Sequence, residues 1–272
     1  MLNFHCLSSA LQAPAVINTL LNRPERIALL KDAVLQICTA LAYVHEKGAP
    51  IVIKADGLAA GKGVVVAQTR EEAKAAVRDC FKGLFGPAGK TIVIEECMSG
   101  PECTLLAFCD GQTIIPMVPS QDHKRALDGD KGPNTGGMGV YSPVPIVTDE
   151  EYEKMLAIMR KTAHAMAAEG IVYRGCLYGG FMLTDNGPRV LEYNVRFGDP
   201  EAQVVLPRLK TDLVDVMVKT ARGNLAGTQL EWDDRWAVCV VLTSGGYPRA
   251  YETGKVITGV ADAEAIEGVT VY

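Results

Sequence analysis

The sequence predicts an α/β protein of the mixed α+β kind, and three observations carry that reading. Short apolar runs of about four to eight residues alternate with longer stretches in which apolar residues recur every three or four positions, the signatures of strands and of amphipathic helices. Asp-Gly and Asn-Gly dipeptides stand between pairs of strand-like runs and mark hairpins. At 48% hydrophobic and 22% charged over 272 residues, the chain has apolar surface for a sizeable core, which excludes disordered and fibrous classes.

Residues 1–48 read as helical: Ile27, Leu30, Ala33, Val34 and Ile37 keep helical spacing until Gly48 and Pro50 end it. Residues 51–54 form a short apolar strand, 55–63 a glycine-bearing turn and 64–67 a second strand. A helix is expected from about 70 to 80, then a Gly/Pro loop over 83–90 and a strand over 91–95. Strands 103–108 and 113–118 join through Asp110-Gly111. From 120 to 142 apolar periodicity is lost, and a polar, glycine-rich loop with the core GPNTGGMG at 132–139 is expected; loops this long are usually functional or disordered. Thr148 and Glu151 form a capping box for a helix whose face is Tyr152, Met155, Leu156, Met159, Ala163 and Met166, ending at Gly170. Strands 176–183 and 189–194 pair across Asp185-Asn186-Gly187. Asp199 is expected as the N-cap of a helix with Pro200 in its first position, and Thr211 as the cap of the next, which ends at Gly223. The last strand covers 236–242.

With 27 basic and 32 acidic side chains the net charge is −5, which speaks against a nucleic-acid platform. No apolar run reaches the roughly 18 residues of a membrane span. The first 21 residues lack the basic cluster of a secretory signal. Eight cysteines without CxxC pairs favour neither zinc nor a disulfide framework, so a reduced, cytoplasmic protein is expected.

Five segments carry chemistry. Lys54 leads into Asp56-Gly57-Leu58-Ala59-Ala60-Gly61-Lys62-Gly63, a loop whose backbone N–H groups can turn toward phosphate oxygens while lysines add charge. It is not a Walker A loop, because Gly63 and a strand follow Lys62; a strand-loop-strand flap fits, with a plain hairpin as the bland reading. Lys54 favours the flap, since a charge ending an apolar strand is costly without a partner. Glu192 and Asn194 stand two apart on one strand and therefore share a face, offering two oxygen ligands to a hard cation, unless they are merely an exposed polar face. Arg196 precedes a helix start where an anion is favoured, and its planar donor fork suits phosphate. Glu95, Glu96 and Glu102 flank the connection through Cys97 and Met98, which is otherwise a solvated acidic loop. Residues 120–125, SQDHKR, cluster donors for an anion; His123 reads as a phosphate contact or surface position, and His5, His45 and His164 as structural.

Together, IVIKADGLAAGKGVVV (51–66), IVIEE (92–96), SQDHKR (120–125), GPNTGGMGVYSP (132–143) and RFGDPEAQ (196–203) resemble the phosphoribosylamine-glycine ligase, or glycinamide ribonucleotide synthetase, branch of the ATP-grasp family. The resemblance covers about residues 42–272. It implies an ATP-grasp fold, two α+β subdomains clamping ATP, with a partial C-terminal domain. It also implies that ATP phosphorylates glycine and that 5-phosphoribosylamine attacks the glycyl phosphate. Lys54, Asp56, Gly57, Gly61, Lys62 and Gly63 would hold phosphates, Glu95, Glu96, Cys97 and Met98 would line adenine, and Glu102 would take the ribose. Glu192 and Asn194 would carry Mg²⁺ or Mn²⁺, and Arg196 would stabilise the transferring phosphoryl group. Asp122, Asn134, Gly136, Gly137, Met138, Arg196 and Asp199 would meet the substrates. Nothing in residues 178–181 supplies the further carboxylate ligand of many ATP-grasp enzymes, as expected in this branch.

The expected organisation is an atypical helical segment (1–48), a small lid subdomain (49–118), a large subdomain (119–230) and a partial C-terminal domain (231–272). Residues 1–41 match no family glycine loop, so a nucleotide-binding fragment without turnover, or a related carboxylate-amine ligase, stands beside the ligase reading. The oligomeric state is not readable from the sequence.

Overall fold

A computed structural model describes residues 24–57 and 63–272. Two compact units divide the chain, Met1–Cys97 and Met98–Tyr272. The boundary thus falls about twenty residues earlier than the expected end of a small subdomain at 118, because the strand beginning at Glu102 pairs along its whole length with one beginning at Gly175.

In the first unit, α1 (Pro24–Lys47) realises the later part of the expected N-terminal helix; residues 1–23 lie outside the described residues. The strands β1 (Ile51–Ala55), β2 (Val64–Ala67) and β3 (Ile92–Glu96) form an antiparallel sheet in the order β2-β1-β3. Helix α2 (Arg70–Phe81) starts with a capping box absent from the sequence reading: Thr69 Oγ1 accepts from the N–H of Glu72, and the Glu72 carboxylate accepts from the N–H groups of Thr69 and Gln68. Ala40 and Val44 of α1 and Ala73, Ala76, Val77 and Cys80 of α2 bury one sheet face through Ile51, Ile53 and Ala67. The residues of opposite parity, Val52, Lys54, Val64, Val66, Val93 and Glu95, fall on the other face, where Val64, Val66 and Val93 are exposed. The loop expected over 83–90 ends in a 3-10 turn, Gly86–Lys90.

In the second unit, β4 (Glu102–Cys109), β5 (Ile114–Pro116), β8 (Gly175–Thr184) and β9 (Gly187–Asn194) make a sheet ordered β5-β4-β8-β9. The expected hairpins form: Asp110 Oδ1 accepts from the N–H groups of Gln112 and Thr113 at the first turn, and Thr184 pairs with Gly187 at the second. Helix α3 (Asp149–Ala168), with its Thr148/Glu151 capping box, covers one face. Met155, Leu156 and Met159 pack there on Cys103, Leu105, Ala107, Leu177, Phe181 and Leu183. Burying each of the Met, Leu and Phe side chains among them is worth about 1.5–3 kcal/mol.

Residues 120–142 are not a loop. They form β6 (Gln121–Leu127) and β7 (Lys131–Ser142), and β10 (Ala237–Val240) pairs on the far side of β7 in the order β10-β7-β6. The hairpin carries no apolar alternation because much of it stays partly exposed, and its glycines mark bulges rather than absence of structure. Since β10 belongs to this sheet, the segment expected to open a separate C-terminal domain at 231 is continuous with the second unit. Its register covers only Ala237–Val240 of the strand expected over 236–242.

Two caps differ from expectation. Asp199 is not an N-cap: α4 is the four-residue helix Ala202–Val205 with Glu201 before it, the Asp199–Pro200 peptide is cis, and Asp199 Oδ1 accepts instead from Gln203 Nε2 at 2.7 Å. Thr211 Oγ1 accepts from the N–H of Glu231, so Asp212 caps α5 (Leu213–Arg222), which ends as expected at left-handed Gly223. A short helix α6 (Val260–Glu264) follows near the end of the chain.

Candidate active site

In the first unit, register decides what the flap presents. Lys54 and Glu95 share the sheet face opposite the helices, and Lys54 Nζ lies 2.5 Å from Glu95 Oε2. The Ala55 N–H donates to the Gly63 carbonyl and closes β1 and β2 into the expected strand-loop-strand unit. Gly57 has a packing reason as well as a loop reason, since a Cβ there would come 2.6 Å from Ala88 Cα. Gly61 and Lys62 lie outside the described residues. Asp56 N–H donates to the Thr91 carbonyl, Glu96 is exposed, and Cys97 and Met98 are half-buried in the connection that follows β3.

In the second unit, cross-strand register places most of the remaining candidates on one sheet face. Thr104 pairs with Gly180 and with Ser120, Gly180 pairs with Glu192, and Tyr178 pairs with Asn194. Directly opposed residues share a face, as do residues two apart. Glu102, Thr104, Tyr178, Gly180, Glu192 and Asn194 therefore point to the same side, away from α3, joined by Ser120, Asp122 and Lys124 on the neighbouring strand. Gly180 leaves the space beneath the metal-ligand candidate, since a Cβ there would lie 3.2 Å from Glu192 Cγ. Lys124 Nζ sits 2.9 Å from Glu102 and 4.0 Å from Glu192. Burial alone would depress its pKa; Glu102, Glu192 and Asp122 outweigh that and raise it.

Three motifs distant in sequence meet at Asp122. Between the pairs His123–Gly139 and Arg125–Asn134, residues 135–138 of β7 face Lys124 alone, a bulge that pushes Gly137 inward. Gly137 has φ +128, and a Cβ there would lie 2.4 Å from Pro200 Cδ and 2.7 Å from Asp122 Oδ1. Gly136 N–H donates to the Tyr247 hydroxyl, Met138 is half-buried and Asn134 is exposed. Behind them Glu201, 3% exposed, accepts on Oε1 from Tyr178 at 2.9 Å and Thr104 at 3.2 Å. Burial, and then the charge of Glu201, push the Asp122 carboxyl up to about 7 against the opposing pull of Lys124 and the His123 N–H. Burial and Glu201 likewise raise Tyr178. Among the described residues, Asp122 Oδ1 and Ser120 Oγ are buried without a hydrogen-bond partner.

Arg196 is not at a usable helix start. It is exposed after β9, and its Nη1 donates to the Phe197 carbonyl at 2.7 Å. Sequence reasoning missed Thr104, Tyr178 and Glu201. For Thr104 the signal was its i, i+2 parity with Glu102; Tyr178 joins the face only through its pairing with Asn194, and Glu201 through the tight turn at Gly198, where a Cβ would lie 2.2 Å from Glu201 Oε2.

The model of the phosphoribosylglycinamide synthetase ATP-grasp (A) domain matches residues 29–202. The chain belongs to this family. Among phosphoribosylglycinamide synthetase relatives, it is 54% identical to the phosphoribosylamine–glycine ligase of Escherichia coli O6:H1 over 84% of this chain and 54% of that protein. With the ligase of Mesorhizobium japonicum the identity is 52%, over 87% of this chain and 56% of the other. The crystal structure of phosphoribosylamine–glycine ligase from Thermotoga maritima superposes with TM-score 0.68 at 38% identity, covering 78% of this chain and 54% of that one. A biotin carboxylase domain of Hydrogenobacter thermophilus, solved with MgADP and bicarbonate, shares the fold at TM-score 0.54 and 20% identity, covering 73% of this chain and 42% of that one. The chain spans about half the length of the curated relatives it matches. The ATP-grasp match spans β1 to β9, from the strand-loop-strand segment of the first unit to the β5-β4-β8-β9 sheet of the second. No helix among the described residues is long and apolar enough to cross a membrane.

Proposed function

We propose that this chain binds ATP with a divalent cation and ligates glycine to 5-phosphoribosylamine, giving glycinamide ribonucleotide, ADP and phosphate through a glycyl phosphate. The observation that carries this reading is the gathering of Glu102, Glu192 and Asn194 on one face of the β5-β4-β8-β9 sheet beside Asp122 and Lys124 of the adjoining β6, in a chain of this family. Phosphoryl transfer asks chiefly for positioning and charge neutralisation, and no side-chain nucleophile is needed.

The donor set fits Mg²⁺ or Mn²⁺: Glu192, opposite Gly180, and Asn194, opposite Tyr178, offer two oxygen ligands from one strand face. When bound, the cation neutralises phosphate charge. On the protein's side, Lys54 and the loop through Asp56, Gly57, Gly61, Lys62 and Gly63 hold the phosphates, and Glu95 through Met98 border the base beside the exposed valines Val64, Val66 and Val93. Glu102 binds the ribose hydroxyls with acceptor capacity that remains while its Oε2 accepts from Lys124. Arg196 stabilises the transferring phosphoryl group. Asp122, Gly136, Gly137 and Met138 contact the amine substrate, and Asn134 and Asp199 complete the small-molecule substrate site. A cytoplasmic setting is part of this proposal, supported by the seven described cysteines, all unpaired.

The test is ADP release by the purified chain with glycine and freshly generated phosphoribosylamine. Turnover that needs both substrates is expected. ATP binding without ADP release would overturn the ligation and leave only nucleotide binding.

A further inference from the structure

Ligation through an acyl phosphate leaves one proton to place: the attacking amine must lose it as the amide forms. Resting on the ligation reading above, we propose that Asp122 Oδ1 accepts this proton and that Glu201, fixed by Tyr178 and Thr104, is a positioning residue for it. The amine nitrogen forms the C–N bond, the bond from carbon to the phosphate oxygen breaks with its electron pair leaving on inorganic phosphate, and the nitrogen-bound proton passes to Asp122 and then to water.

Four observations converge. Asp122 Oδ1 is buried and has no hydrogen-bond partner among the described residues, although a carboxylate oxygen out of water ordinarily finds one. Ser120 Oγ, two residues earlier, is equally unpartnered and fully buried, so two neighbouring oxygens are free to accept from one N–H-bearing group. Ser120 is bridged to Thr104, which shares a sheet face with Glu192 and Asn194, so both oxygens adjoin the face where the activated carboxylate would form. The inward bulge at Gly137 and the Pro200 ring close the site beside Oδ1, leaving room for no side chain there.

The charged groups facing Asp122 set its basicity in a consistent direction. Glu201 from the turn after β9 and Glu102 from β4 raise its proton affinity, while Lys124 and the His123 N–H on its own strand lower it, and burial adds most. A base tuned near the working pH transfers protons most effectively. Glu201 keeps its place because two hydroxyls donate to the same carboxylate oxygen, Tyr178 at 2.9 Å and Thr104 at 3.2 Å.

The experiment compares two acceptors of the activated glycine on the purified chain. Hydroxylamine, a weakly basic nucleophile that is neutral in the assay, traps glycyl phosphate as the hydroxamate without a protein base. Asp122→Asn should lose ligation to phosphoribosylamine by about 100-fold or more while retaining hydroxamate formation. Equal loss of both, or retained ligation, overturns the proton-acceptor role. In Glu201→Gln the acid limb of the ligation pH profile should move to lower pH, because a negative neighbour is removed; an unmoved limb overturns the positioning role. If that variant does not fold, carbon-13 titration of the Asp122 carboxyl in the unsubstituted chain decides: a midpoint near 7 supports the arrangement, and one near the ordinary value of about 4 overturns it. Absence of hydroxamate with the unsubstituted chain overturns the ligation reading itself, and this inference with it.

Discussion

Asp122 and Gly137 illustrate what single residues contribute here. Gly137→Ala would place a methyl 2.4 Å from the Pro200 ring in a backbone conformation, φ +128, that side chains rarely adopt. A loss of about 1–3 kcal/mol is expected in urea unfolding, and an unchanged midpoint would contradict the packing. Asp122 holds its proton more tightly in the folded chain than in the unfolded one, so its contribution to stability is complete below about pH 4 and is lost as pH rises through about 7. Asp122→Asn should accordingly be more stable than the parent at pH 8, with the gap closing toward pH 4. At 1.36 kcal/mol per unit the ceiling is about 4 kcal/mol, reduced by the water that reaches the carboxyl. Lys54, Asp122, Glu192 and Asn194 were legible in the sequence because each stands in a motif or at a spacing with chemical meaning. Tyr178 and Thr104 were not, since an aromatic and a threonine in an apolar strand read as core. Glu201 stands directly before α4, and its carboxylate turns inward to those two hydroxyls, which its place in the sequence does not signal.

Elements were legible where local chemistry decides them. The Thr148/Glu151 box, the Asp110-Gly111 turn and the left-handed Gly223 end all act within a few residues, and all stand in the structure. The equivalent box at Thr69 and Glu72 acts on α2 in the same way, and Thr69→Ala should cost about 1 kcal/mol in thermal or urea unfolding of the first unit. The β6–β7 hairpin was illegible because partner strands, not periodicity, hold it: its register slips at two places and its glycines sit in bulges. Hydrogen exchange should show protected amides near the pairs Gln121–Tyr141, Asp122–Val140 and His123–Gly139; exchange as fast as in an unstructured loop across 121–142 would contradict the hairpin. Asp199 and Thr211 were assigned caps by residue type alone, and each found a different partner through tertiary contact, Gln203 for one and Glu231 for the other.

At the scale of the whole molecule, the register of β4, β8 and β9, with β6 bridged to β4, brings the motifs of the second unit onto one surface. Sequence spacing showed that Glu192 and Asn194 share a face; it did not show that Glu102, Asp122 and Lys124 share it with them, because that depends on which strands pair. The same limit moved the division of the chain to Cys97–Met98 and joined β10 to the second unit. The central claim is that this face holds a metal-dependent ATP site. Calorimetric titration of ATP into the parent chain and into Glu192→Ala, each with and without Mg²⁺, tests it most directly. Binding in the parent that requires Mg²⁺ and weakens by about 10–100-fold in the variant is the predicted result; equal affinity in parent and variant, or affinity indifferent to Mg²⁺, would contradict it.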